Sequence, residues 1–388
     1  MKTITLLLIL LLFVSFVAFG TIIVSFALVD KSFISSITNQ RDMNEVETVS
    51  IGHCTSKVSL DIRDTKDPAL LSLKETQNTC LSYVTNRMMI FTDMPKDAKV
   101  AQENAKEMAT RLREFNKNGV TPVVIVEPAS DWGLIDFQEF NTGFYDNWVD
   151  TYFKALKSSG ISQEEMGIWV PFPEANIPTW NKNSATPKDF ALGVNRYGGI
   201  LMRYYPETHI SILLNSATYD NEDYDWIYGE YVSLKPYVEY LDKNLISSVG
   251  LQGFPWVPQL SSASNPLENP SQFLNHRLAQ EAAEIIGVKE IWFNTGTFGR
   301  KYTQTPLEEV EISSEKRKAI LDGVTAESLE LQSKGYEIWV NLFVEDKSST
   351  TEQTDWSYKT DTDRQVFVEF VRRLNEENIL LSLFDQKV

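Results

Sequence analysis

The sequence predicts an α/β protein built as a (β/α)8 TIM barrel, preceded by a single N-terminal membrane-spanning or signal helix. Three observations carry this prediction. Short apolar, β-rich runs alternate with amphipathic stretches of helical spacing, the pattern of a parallel sheet covered on both faces. Eight such units fit between Lys57 and Phe343, which favours a closed barrel over an open doubly wound sheet. No Gly-rich dinucleotide or phosphate loop follows any of the strands, which removes the commonest functions of open sheets.

The elements follow in order. After Lys2, residues Ile4 to Val29 are almost wholly apolar, broken only by Thr, Ser and Gly, and Asp30-Lys31 closes the run. That stretch is longer than a signal h-region and exceeds the roughly 20 residues that span a bilayer. Lys2 on the short side predicts an amino terminus held inside and a bulk that is exported. The small-residue pairs Ala18/Gly20 and Ser25/Ala27 offer cleavage sites, so a secreted form is the alternative to an anchored one. Residues 1–31 are therefore read as anchor, the polar, acid-rich residues 32–50 as tether, and residues 51–388 as the barrel domain.

Lys57 to Ile62 (KVSLDI) alternates like a first strand, and Pro68 to Tyr83 has helical spacing. Further strands are expected at Met88–Thr92, Pro122–Val126, Ile168–Phe172, Ile210–Leu214, Ser247–Leu251, Glu290–Phe293 and Tyr336–Phe343. Helices are expected between them, among them Ala98–Asn118 and Tyr145–Ser158. Pro187–Tyr204 starts with Thr186 as N-cap, Pro187 at its first position and Asp189 in its first turn. Arg364–Glu377 closes the series as an eighth helix. Ile379–Phe384 is one further apolar run, which becomes the eighth strand if KVSLDI is not the first, shifting every ordinal by one.

Composition narrows the function. The 388 residues are 43% hydrophobic and 23% charged, an ordinary globular balance. The net charge of −17 and the lack of any long Lys/Arg run speak against nucleic acid as a partner. Neither the two cysteines, Cys54 and Cys80, nor the three histidines, His53, His209 and His276, show metal-ligand spacing, so neither a metal nor another cofactor is expected. Outside the membrane Cys54 and Cys80 can oxidise and clip the start of the domain to its first helix; two buried thiols are the other reading.

Barrel chemistry sits at the carboxyl ends of the strands. Here those ends hold Asp93, Glu127, Glu174, Asn215, Gln252, Asn294 and Asn341, with Asn176, Trp132, Trp180, Trp256 and Trp339 nearby. Flat aromatic faces stack on pyranose rings while amides and carboxylates bond hydroxyls, so the set reads as a sugar cleft; core packing is the alternative for any one tryptophan.

Several segments carry a resemblance. MIFTDM (Met89–Met94), GVTPVVIVEP (Gly119–Pro128), VPFPEAN (Val170–Asn176), VGLQGF (Val249–Phe254) and EIWFNTGTF (Glu290–Phe298) resemble the second, third, fourth, sixth and seventh strand segments of family 26 glycoside hydrolases. That family is of the β-mannanase type, within the large clan of barrel glycosidases. The resemblance implies an extracellular β-linked polysaccharide or oligosaccharide, of mannan or glucan type, as partner. It also implies Glu174 as general acid/base after strand four, and a carboxylate nucleophile at the end of strand seven. The matching position holds Asn294, and Pro173 stands where the family commonly has histidine.

An amide cannot serve as the nucleophile of a double displacement. Three readings follow. In the first, the protein is a glycosidase in which Glu127, Glu345 or Asp346 supplies the base, or in which Asn294 orients a substrate 2-acetamido group. In the second, it is a catalytically impaired sugar receptor at the cell surface. In the third, it is a scaffold.

Overall fold

The computed structural model describes residues 87–94, 97–117, 121–127, 129–130, 133–176, 186–216, 218–219, 226–227, 233–254, 273–297, 300–302, 309–343, 346–347, 354–355, 360–377 and 379–384. The apolar Ile4–Val29, the tether, Cys54, Cys80, KVSLDI, the Pro68–Tyr83 helix, Trp132, Trp180, Trp256 and Glu345 lie outside the described residues. Among the described residues no helix is long and apolar enough to cross a membrane.

Eight parallel strands close a barrel: β1 (Arg87–Asp93), β2 (Thr121–Glu127), β3 (Ile168–Pro171), β4 (His209–Asn215), β5 (Ile246–Gln252), β6 (Glu290–Gly296), β7 (Glu337–Phe343) and β8 (Leu380–Phe384). The helices between them are α1 (Ala98–Lys117), α2 (Phe137–Thr142), α3 (Asp146–Ser158), α4 (Pro187–Tyr204), α5 (Lys235–Val238), α6 (His276–Ile286), α7 (Ser314–Ser333) and α8 (Asp361–Glu376).

The preferred strand count is corrected here. Leu380–Phe384 pairs with β7 on one side, Trp339 opposite Leu380, and with β1 on the other, Arg87 opposite Ser382. The ring is complete with Arg87–Asp93 as its first strand and Leu380–Phe384 as its last; KVSLDI lies outside the described residues. Glu174 therefore follows the third strand, Asn294 lies on the sixth, and α8 precedes the last strand.

Local signals agree with the elements. Thr186 and Asp189 form a reciprocal capping box at α4, with Pro187 at the start of the helix. Asn275 and Ser313 cap α6 and α7 through their side chains, and Gly287, at φ 88°, ends α6 in the left-handed conformation open to glycine.

Two apolar clusters result from the alternation of each strand. Outward residues such as Val124, Val126, Trp169, Ile212, Phe293 and Val340 pack under the helices. Inward residues, including Met89, Val123, Ile125, Val170, Leu213, Trp292 and Trp339, fill the barrel. Trp292 and Trp339 stack at 4.5 Å with planes 5° apart, and the Arg87 guanidinium lies over the Trp339 ring at 4.6 Å. Trp339 Nε1 donates to Glu290 Oε1 at 2.8 Å, and Trp292 Nε1 to Ser211 Oγ at 2.8 Å.

Candidate active site

The carboxyl ends of the strands are sorted by chemistry. Carboxylates come from the first three strands: Asp93 ends β1, Glu127 ends β2, and Glu174 follows β3. Carboxamides come from the next four: Asn215, Gln252, Asn294 and Asn341.

These four amides share one level of the sheet. Asn215 pairs with Gln252, Gln252 with Asn294, and Asn294 with Asn341 across adjacent strands. Neighbouring strands lie about 4.8 Å apart, which brings like side chains on one face within hydrogen-bond reach. Asn341 Nδ2 donates to Asn294 Oδ1 at 2.6 Å, and Asn294 Nδ2 to Gln252 Oε1 at 2.6 Å. The Gln252 amide donates in turn to Glu174 Oε1, and Asn215 Nδ2 reaches that same oxygen at 3.0 Å. Every bond in the row points its donor towards Glu174. Amide donors of this kind stabilise an ionised carboxylate more than a neutral acid.

Backbone geometry delivers the carboxylate. Phe172 and Glu174 both have positive φ, 56° and 58°, in a region that non-glycine residues seldom occupy. Phe172 N donates to Val126 O on β2, and Glu174 N donates to Leu213 O on β4, so the turn stays tied to both flanking strands. The Phe172 ring is fully buried and meets Phe137, Phe140 and Tyr197 edge-on at 5.2 to 5.6 Å. Asn176 then clasps the β4 backbone: its Nδ2 donates to Asn215 O at 2.6 Å, and its Oδ1 accepts from Asn215 N at 2.7 Å.

The expected site residues thus fall into groups. Glu174, Glu127 and Gln252 are half-buried at the mouth, and Asp93 is exposed there. Asn215 and Asn294 are brought to the same mouth but are 8% and 6% exposed. Asn176, expected to bind substrate, is occupied as a backbone clamp. Trp339 and Asn341, expected in the cleft, are 1% and 0% exposed and belong to the barrel interior. They face inward on β7 below Phe343, which packs edge-on against Phe254 at 5.9 Å, and Ile312 joins the same cluster. Trp180 and Trp256 lie outside the described residues.

The new strand count also changes the ordinal of the expected nucleophile position. Asn294 is on the sixth strand, and the seventh carries Asn341 in the same row, so both places hold amides. Sequence reasoning missed the row itself, although the runs ILLN, GLQ, IWFN and IWVN each set an amide at the end of an apolar stretch. It also missed a four-stranded antiparallel sheet formed by residues 300–302, 309–311, 346–347 and 354–355 from the loops after β6 and β7. Asp346, a candidate base, pairs with Asp355 in that sheet.

Two phenols flank the first strands. Tyr152 and Tyr197 line a small cavity of about 10 Å³ with Thr92, Asp93, Met94, Val126 and Val149. Burial pushes both phenols well above their ordinary range, so they stay protonated. Among the described residues no three His, Cys, Asp or Glu side chains come together as a metal-ligand set.

No protein-family model matches the chain, and no curated protein sequence matches it. Solved structures do. A family 1 β-glucosidase from Thermotoga maritima matches with a TM-score of 0.45 at 11% identity, over 74% of this chain and 82% of that one. An endo-β-1,4-mannanase from Thermotoga petrophila matches with a TM-score of 0.46 at 10% identity, over 84% and 77%. A pair of fungal β-1,4-galactanases gives 0.46 at 13% identity, over 73% and 86%. These likenesses concern the course of the chain and assign no role to any residue here.

Proposed function

We propose that the barrel is a glycoside-hydrolase-like domain that acts on a β-linked polysaccharide, with Glu174 as its reacting carboxylate. The observation that carries this reading is the presentation of Glu174. A strained turn sets it at the carboxyl end of the barrel, and two amides grip one of its oxygens. Strain of this kind costs about 1–3 kcal/mol per residue and persists where the conformation is used. The β-linked substrate, of mannan or glucan type, is taken from the resemblance of Val170–Asn176 and Glu290–Phe298 to β-mannanase segments.

Glycoside hydrolysis needs a proton donor and a second carboxylate, about 5–5.5 Å away for retention or about 6.5–9.5 Å for inversion. With amides on β4 to β7, the partner of Glu174 is sought on the neighbouring strand, where Glu127 stands. Glu127 would protonate the leaving oxygen while ionised Glu174 serves as base or nucleophile. A second reading, a receptor that holds glycan without cutting it, is favoured by the amides of Asn294 and Asn341. We further propose that Ile4–Val29 anchors the protein, with the barrel outside the cytoplasm.

The test is incubation of the full-length protein with manno-, gluco- and galacto-oligosaccharides, following cleavage by chromatography and binding by calorimetry. Loss of an acid–base group costs on the order of 10²–10⁴ in rate. Glu174→Gln and Glu127→Gln are each expected to lose activity on that scale while keeping glycan affinity. Binding without cleavage by the wild type establishes the receptor instead, and neither binding nor cleavage with any glycan refutes both readings. Protease protection in intact cells checks the side of the membrane.

A further inference from the structure

We infer that Gln252 is a positioning residue that holds Glu174 ionised, and that Asn294 and Asn341 reinforce it from behind. The inference rests on the reading of Glu174 as the reacting group and assigns it the role of base or nucleophile, not of proton donor.

Three observations lead there. First, the row is directional: Asn341 donates to Asn294, Asn294 to Gln252, and Gln252 to Glu174. In a low-dielectric interior, bonds aligned in this way polarise one another, so the last amide N–H is a stronger donor than an isolated one. Second, the row starts at a cost. Asn341 is fully buried, and its Oδ1 has no hydrogen-bond partner among the described residues. An unmet buried acceptor is a cost that an aliphatic residue would avoid. The residue is therefore explained by what its Nδ2 donates, chiefly to Asn294. Third, the donor end is aimed by independent means. The Asn176 clamp fixes β4 beside Gln252, and Asn215 adds a second donor to the same carboxylate oxygen.

Charge around Glu174 works in both directions. Asp93 ends β1 at the same end of the barrel, and a negative charge there favours protonation of Glu174, whereas Glu127 on β2, as the proposed proton donor, carries its proton and adds no such charge. At the described row, β4 to β7 bring only amides, which oppose that effect. Gln252 contacts Glu174 directly, so its loss tilts the balance towards the neutral acid. A hydrogen bond to a charged group is worth about 1.5–3 kcal/mol, equivalent to about one to two pH units.

The experiment is carbon-13 NMR of the full-length protein labelled at the glutamate carboxyl carbon, with the Glu174 signal identified by its disappearance in Glu174→Gln. Gln252→Leu is expected to raise the Glu174 midpoint by about one to two pH units. Asn341→Leu, which touches neither Glu174 nor solvent, is expected to raise it by a smaller amount; it remains informative should Gln252→Leu fail to fold. If hydrolysis is measurable, its acidic limb moves up in parallel. A midpoint unchanged in both variants overturns the inference even where glycan is cut. A midpoint that moves as stated, in a protein that cuts no glycan, upholds the positioning role and removes only the hydrolase reading.

Discussion

Phe172 and Glu174 illustrate how single residues carry opposed demands. Each holds a positive φ that a glycine would adopt without strain, and neither can be a glycine. Phe172 is needed for its ring, which is buried among Phe137, Phe140 and Tyr197, and Glu174 for its carboxylate. Gly250 is the converse case. A Cβ there would stand 2.3 Å from Trp292 Cε2, so the stacked tryptophans depend on its absence. Gly250→Ala is expected to destabilise the barrel by about 1–3 kcal/mol through overpacking, read as a lower midpoint in urea. The need for that glycine is invisible in VGLQGF, because the ring that occupies its space lies on another strand.

Between elements, buried Arg317 joins three segments. From α7 its Nη2 donates to Thr297 O just past β6, and its Nη1 lies 3.3 Å from Asp363 Oδ2 on α8. Ser314 Oγ donates to the other carboxylate oxygen at 2.8 Å. Removing one partner of such a pair strands the other, at a cost of about 3–5 kcal/mol. Arg317→Met should show that loss by chemical denaturation, with a smaller added effect of Asp363→Asn in the double variant. The amide row obeys the same element-scale logic. Asparagine and glutamine at strand ends are visible in the sequence, and there they read as sugar ligands. Parallel pairing turns them towards one another, because four strands set them at one level.

For the molecule as a whole, closure is decided by β8. Leu380–Phe384 bonds to β7 and β1 together, so its removal leaves two open strand edges. A chain ending at residue 378 is expected to lose cooperative thermal unfolding and to aggregate, checked by circular dichroism and light scattering. LLSLF and KVSLDI read equally well as strands, since strand periodicity is a local property. Membership of a ring is not local, and only the pairing of Arg87 with Ser382 settles it.

The sequence by itself determined the barrel class, most element positions, the capping of α4 and the place of Glu174 at a strand end. These follow from short-range pattern: apolar runs, helical spacing and cap residues, all contained within a few turns of chain. Tertiary structure alone decided the strand count, the burial of Trp339 and Asn341, and the bonding of the amides to each other. Each of those depends on which distant segment faces which, and that is set by sheet register and closure. Glu174 therefore owes its place at a strand end to its own segment, and the amides that bond it to β4 and β5.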